Sequence, residues 1–212
     1  MSMTDERTLP DQADTRTRLV HTAMRLFQER GYAATGVASI LREADVRSGS
    51  LYHFFATKEE LLLAVLERYE ELLWPVILEP AFSRFNDPVA RIFGILDGYR
   101  AMLVETECQA GCPIGDLALE VGSTLDRARE KIAANFDGWC RGIRRCLDEI
   151  GDDLPPELDR DRMASFVLCV MEGGVMLART HRNIEPFDSA VSYLRDYFDR
   201  LLGSTSPSGE TS

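Results

Sequence analysis

Between Leu19 and Leu202 the apolar residues recur at intervals of three and four, and nearly every such run begins or ends on a helix-boundary residue. That period puts them on one face of a helix; a half-buried strand would need alternation, which the chain lacks. Leu19, Ala23, Leu26 and Phe27 share one face, with Asp14 as the expected N-cap and Gly31 as the stop. Short helices fit Val37–Ala44 and Ser48–Phe55. Thr57 and Glu60 have the spacing of a capping box, and the helix they open must end or kink near Trp74-Pro75. Asp87-Pro88 opens a helix to about Glu105. Further helices are expected over Ile114–Val121, Leu125–Ile150, Glu157–His181 and from Glu185-Pro186 to Leu202. Asp97-Gly98 and Asp137-Gly138 would mark hairpins between alternating flanks, but both lie inside helical runs. The expected fold class is all-α.

Composition narrows the function. A chain of 212 residues, 45% hydrophobic and 28% charged, is long enough to bury a sizeable core. The longest apolar runs, Leu61–Leu66 and Phe166–Met171, fall far short of the roughly 18 residues of a membrane span, so no membrane association is expected. The N-terminal stretch lacks the apolar core of a signal peptide. Five cysteines without a secretion signal imply reduced thiols and a cytoplasmic protein. No Ser-His-Asp order, phosphate-cradling glycine loop or nucleotide fingerprint occurs, and His21 and His181 have no second ligand at metal spacing. Neither a cofactor nor an enzymatic activity is expected.

The net charge of −11 is unevenly spread. From Arg16 to Lys58 seven cations stand against three acids, so this segment carries +4 and the remainder −15. Phosphate binding needs local positive potential, whatever the sign of the whole chain. Within this segment the two short helices and the tight Ala44–Arg47 connection form a helix-turn-helix, about 36–55. Val37, Ile40, Leu41, Val46, Leu51 and Phe54 would face inward. Arg47, Ser48, Ser50, Tyr52 and His53 are then left outward, with a size and polarity suited to base edges and phosphates in a major groove. Gly49 lets backbone approach DNA, and Lys58 adds a charge beside a helix N-terminus.

The stretch ERGYAATGVASILREADVRSGSLYHFFATKEELLLAVL resembles the N-terminal signature of the TetR family of bacterial transcription regulators. The pattern covers about Thr15–Tyr69 and includes Phe27, Gly31-Tyr32, Thr35, Ile40, Val46, Gly49, Leu51-Tyr52, Phe54-Phe55 and Lys58-Glu59. The resemblance implies a three-helix DNA-binding head over 12–57 and a six-helix ligand-binding and dimerisation body over 58–203. Residues 1–11 and 204–212 are expected to be disordered. It implies a homodimer on a palindromic double-stranded operator, acting as a repressor and released by a small apolar or amphipathic effector. Carried over, Tyr52 and Lys58 touch phosphates, Ser48, Gly49, Ser50 and His53 lie at the bases, and Thr35, Gly36 and Arg47 complete the expected DNA-binding set. Two positions depart from the family pattern. Gly36 stands where a serine or threonine is usual, and Arg47-Ser48 where a serine followed by a lysine is common. The alternative is an all-helical enzyme or small-molecule-binding protein whose helix-turn-helix is only structural.

In the body, Phe187, Ala190/Val191, Leu194, Phe198 and Leu201/Leu202 form a stripe that, with Phe166, Val170, Gly173/Gly174 and Leu177, resembles a dimer face. Phe93, Tyr99, Met102, Phe136, Trp139, Cys140, Phe166 and Met176 are the candidate walls of an effector pocket. Gly94/Gly98 and Gly138/Gly142 leave room beside these aromatics, either for a ligand or for close helix packing. Cys112 precedes Pro113 at a helix start, which favours thiolate, but Glu105, Glu107 and Asp116 oppose it. A small buried hydrophobe is the preferred reading of Cys112, and a disulfide with Cys108 is not implied.

Overall fold

The computed structural model describes residues 8–203, with side chains from Thr15 onward except those of Ser48 and Ser50. Among the described residues ten α-helices follow in order: α1 Thr8–Arg30, α2 Val37–Glu43, α3 Ser48–Phe54, α4 Lys58–Leu72, α5 Glu79–Arg84, α6 Pro88–Glu105, α7 Pro113–Val121, α8 Asp126–Ile150, α9 Arg160–His181 and α10 Glu185–Gly203. No strand occurs among the described residues. The disorder expected for 1–7 and 204–212 lies outside the described residues. α1 starts at Thr8, not at an N-cap on Asp14; Pro10 sits in its first turn, where no intrahelical N–H is needed.

The other boundaries follow local chemistry. Asp87 Oδ2 accepts from Ala90 N at 2.7 Å ahead of Pro88, and Asp159 Oδ1 accepts from Asp161 N and Arg162 N, which moves the start of α9 from Glu157 to Arg160. Thr57 Oγ1 accepts from Glu60 N at 3.1 Å, the first half of the capping box, while the Glu60 carboxylate binds Arg127 at 2.6 Å. The expected kink at Pro75 is a π-helical turn, Leu73–Leu78, that joins α4 to α5. A wider turn accommodates the N–H that proline cannot supply.

The chain divides into two compact units, and their limits differ from the break expected at 57/58. The first comprises the described residues to Glu70 together with Pro113–Ala133; the second comprises Glu71–Cys112 and the described residues from Ala134. In the first unit Leu19, Ala23, Leu26 and Phe27 are buried with Ile40, Leu41, Leu51, Leu61, Leu62, Val65 and Leu66. Phe55, not the expected Phe54, is the buried aromatic at the end of α3; Phe54 is half-buried, with its ring edge-on to His53. Arg127 on Glu60 and Lys131 on Glu67 tie the start of α8 to α4.

In the second unit α9 packs along α10, and the core runs through Phe93, Ile95, Leu96, Trp139, Ile143, Leu147, Val167, Met171, Phe187, Leu194 and Phe198. By length and composition alone α9 would suffice to cross a bilayer, although its uninterrupted apolar runs are short and one of its faces is buried in the core. Its charges cluster near its ends, leaving Glu172 alone between Met163 and Ala178. One face carries Met163, Val167, Met171 and Val175 into the core, whereas Phe166, Met176 and Leu177 are exposed.

The helix-internal glycines serve close packing more than space for a ligand. A Cβ on Gly94 would lie 2.6 Å from the Phe85 ring, one on Gly142 2.8 Å from Leu78, and one on Gly174 2.9 Å from the fully buried Phe187 ring. A Cβ on Gly98 meets nothing within 4 Å. Gly98→Ala should therefore stabilise the chain by about 0.5–1 kcal/mol through helix propensity. At Gly174 an overpacking cost of about 1–3 kcal/mol outweighs that gain, and Gly174→Ala should destabilise. Denaturation of the two variants checks the opposite signs.

Candidate functional site

Two short helices become a reading head here because their connection is closed by its own backbone. Val46 N donates to Leu41 O at 3.0 Å and Asp45 N to Arg42 O at 3.3 Å, with Asp45 at φ +52°. This double closure ends α2 and turns the chain into α3 within a few residues. Leu51 is fully buried on one side of α3, so its neighbours on the helix face outward. Tyr52 is 61% exposed, and Arg47, Gly49 and His53 are exposed too. Ser48 and Ser50 lie on α3, but their side chains are outside the description. Gly36 is the N-cap of α2, exposed and without a side-chain cap, and a Cβ there would meet nothing within 4 Å. A serine would fit at this position.

Two of the sequence-derived residues are engaged inside the unit instead. Thr35 is 1% exposed, and its hydroxyl donates to Gly31 O at 2.7 Å and Leu26 O at 3.2 Å. It shapes the turn between α1 and α2 and is not available on the surface. Lys58 is half-buried; its Nζ donates to Tyr32 O at 2.5 Å and lies 4.0 Å from the Tyr32 ring centroid. Burial lowers its pKa from the ordinary lysine value, and Glu120 partly offsets this. The positive charge of the segment is also partly committed. Arg25 pairs with Glu29 and Glu43, and Arg30 pairs with Glu43 at 3.0 Å. The Arg25 hydrogen bond is the main cause of the lowered Glu43 pKa. Exposed Arg42 and Arg47 flank the α2–α3 connection.

Of the eight candidate pocket walls the structure groups some and separates others. Tyr99 is packed in the second unit so that burial raises its phenol above the ordinary range; Cys112 and Glu172 push the same way, while the Trp139 indole partly offsets them. Glu172 and Cys112 are neighbours of Tyr99 that the sequence-derived wall candidates left out. A lone acid in the long apolar stretch of α9 was the available signal for Glu172. Trp139 and Phe93 are buried core, and the Phe93 ring stands edge-on to Phe198 at 5.6 Å with Arg195 on its face at 3.8 Å. Met102, Phe136 and Cys140 are half-buried. Phe166 and Met176 depart from the expectation: they are 47% and 53% exposed on the outer side of α9. There Phe166 meets Tyr197 at 6.0 Å and, with Met163 and Leu201, lines an open groove of about 420 Å³.

All five cysteines are free thiols. Cys108, Cys112 and Cys146 are buried, Cys140 is half-buried and Cys169 is exposed. Burial pushes the Cys146 thiol up to about 12 and raises that of Cys140 as well. A short treatment of the native protein with a thiol reagent should therefore label Cys169 first, and peptide mapping over time would check the order.

Comparison with known proteins decides the family. Residues 19–65 match the family model described as bacterial regulatory proteins of the tetR family, and 88–193 match the C-terminal domain of LmrA/YxaF-like transcriptional regulators. The chain belongs to the TetR family. It is 31% identical to the HTH-type transcriptional repressor DhaR of Mycobacterium sp. (strain GP1), over 90% of this chain and 93% of that protein. It is 24% identical to the repressor NemR of Escherichia coli K12, over 86% and 93% of the two chains. Among solved structures, a TetR regulator from Chloroflexus aurantiacus J-10-FL aligns with a TM-score of 0.79 at 28% identity, covering 91% of this chain and 98% of that one. The regulatory protein TetR from Rhodobacter sphaeroides aligns at 0.76 and 25% identity, covering 84% and 96%. These relatives are transcriptional regulators, and this TetR-family chain is a regulator of transcription.

Proposed function

We propose that the protein is a repressor that binds a palindromic operator as a homodimer through α2 and α3 and is released by a small apolar or amphipathic effector held in its second unit. The observation that carries the reading is the two-sided character of α3, with Leu51 fully buried and Arg47, Gly49, Tyr52 and His53 exposed. In this reading Arg47 and Tyr52 hold phosphates. Ser48, Gly49, Ser50 and His53 read base edges, and Gly36 offers a backbone N–H to the phosphate chain. Lys58 contributes its charge from the α1–α2 turn. Such a regulator works in the cytoplasm, where its DNA is.

One helix-turn-helix reads only a few base pairs, so a second copy is needed for a palindrome. Phe187, Leu194 and Phe198, expected on the dimer face, are core of the chain itself. The outward row that supports a dimer face is Phe166, Met176 and Leu177 of α9 with Tyr193 and Tyr197 of α10, all exposed. For the effector, Tyr99 and Trp139 offer a phenol and an indole beside Cys112 and Glu172. An effector releases DNA only by binding the DNA-incompetent arrangement more tightly than the competent one. The chain passes between units after Glu70, Cys112 and Ala133, and α4 is the lever in this reading because it leads from the recognition helix through the first of these crossings.

A mobility shift on the DNA flanking the protein's own gene, beside selection of duplexes from a random pool, tests the function. Saturable binding to a palindrome is expected. Failure to bind any duplex above random sequence overturns it.

A further inference from the structure

The turn between α1 and α2 is held by its own Thr35 and by side chains from two distant places, Lys58 and Glu120. Gly31 takes φ +82°, which aims the next two amides, Tyr32 N and Ala33 N, into one concavity. The Glu120 carboxylate of α7 fills it: Oε2 accepts from Tyr32 N at 2.7 Å and Oε1 from Ala33 N at 2.6 Å. A Cβ on Gly31 would lie 3.2 Å from both of these oxygens, so the seat leaves little room for a side chain at that position. Lys58 takes the carbonyl of Tyr32 and Thr35 that of Gly31. Every backbone polar group from Gly31 O to Ala33 N thus has a side-chain partner, and Glu120 alone supplies two. It stands 88 residues from Tyr32 and outside the matched head segment 19–65. The turn leads directly into Gly36, the N-cap of α2, which has no side-chain cap of its own.

We propose that Glu120 is a positioning residue for operator binding: its carboxylate, delivered by α7, fixes the α1–α2 turn and with it the start of α2 in the arrangement that meets DNA. This rests on the reading of α2 and α3 as the operator-binding helices. The proposal and simple electrostatics predict opposite signs. Removing an acid from a DNA-binding unit raises its positive potential and should tighten binding. Removing the clamp leaves the turn to be ordered when DNA binds, and should weaken it.

Glu120→Gln, which keeps the shape but loses the charge and one acceptor, and Glu120→Ala are compared with wild type in the full-length protein. The probe is a duplex that the wild type selects from a random pool. Without DNA, amide exchange at Tyr32 and Ala33 is expected to quicken by about tenfold or more in both variants. Operator affinity is expected to fall about tenfold, with an unchanged salt slope, since no phosphate contact is lost. Wild-type exchange at the two amides, tighter binding, or affinity within twofold of wild type overturns the clamp. Should Glu120→Ala fail to fold, Glu120→Gln decides. A pool that yields no duplex counts against the operator reading itself, while the exchange comparison in DNA-free protein still decides whether Glu120 holds the turn.

Discussion

Replacing Arg47 and Tyr52 together by alanine is expected to weaken binding to every duplex alike, by roughly a hundredfold or more. A hydrogen bond to a charged group contributes about 1.5–3 kcal/mol, and each protomer would lose two of them to phosphate. The two side chains should separate in their salt dependence. Arg47 releases counterions, so Arg47→Ala should flatten the slope of log affinity against log salt by about one unit per contact. The Tyr52 phenol is neutral, and Tyr52→Ala should lower affinity at constant slope. Substitution of His53, Ser48 or Ser50 should instead redistribute preference among bases, by roughly 1–3 kcal/mol per readout contact. Anisotropy titrations of a selected and a scrambled duplex at several salt concentrations separate these effects. Tyr52 and Arg47 are both exposed, so the variants should fold. Unchanged affinity in the folded double variant removes both residues from the interface.

The second large effect is expected on the outer face of α9. Phe166→Glu with Leu177→Glu should give a folded monomer by sedimentation, because both side chains are exposed in the isolated chain. Each monomer still carries an intact head, yet operator affinity should drop by about 10²–10⁴. The two half-sites would no longer be engaged by linked modules at high effective concentration. A variant that remains dimeric and binds as before would place the dimer contact elsewhere.

What the linear chain shows and what it hides divide along physical lines. Helix starts were legible at Asp87 because an N-cap followed by proline is a local signal, and Asp87 does accept from Ala90 N. The stop at Gly31 and the turn at Asp45 were local for the same reason. Which way a residue faces depends on the partner across from it. Gly94 and Gly98 are one helical turn apart, yet only Gly94 has an aromatic ring against it. Phe166 and Met176 look like pocket walls by composition and lie on the outside of α9. The place of Lys58 at a helix start suggested a charge for phosphate, whereas its engagement with Tyr32 was not legible, because that turn lies 26 residues earlier. Glu120 was invisible to any window along the chain.

The membership of α7 in the first unit has a consequence for how this protein can be cut and recombined. The unit that carries α2 and α3 is assembled from two stretches of chain, with Glu71–Cys112 looping out between them. A fragment ending at Glu70 would contain every residue expected to touch DNA, yet it would lack the carboxylate that seats the α1–α2 turn and the Arg127 and Lys131 partners of α4. Heads exchanged between relatives at the end of α4 would therefore inherit a foreign α7, and their specificity would transfer cleanly only where residue 120 and its seat travel together.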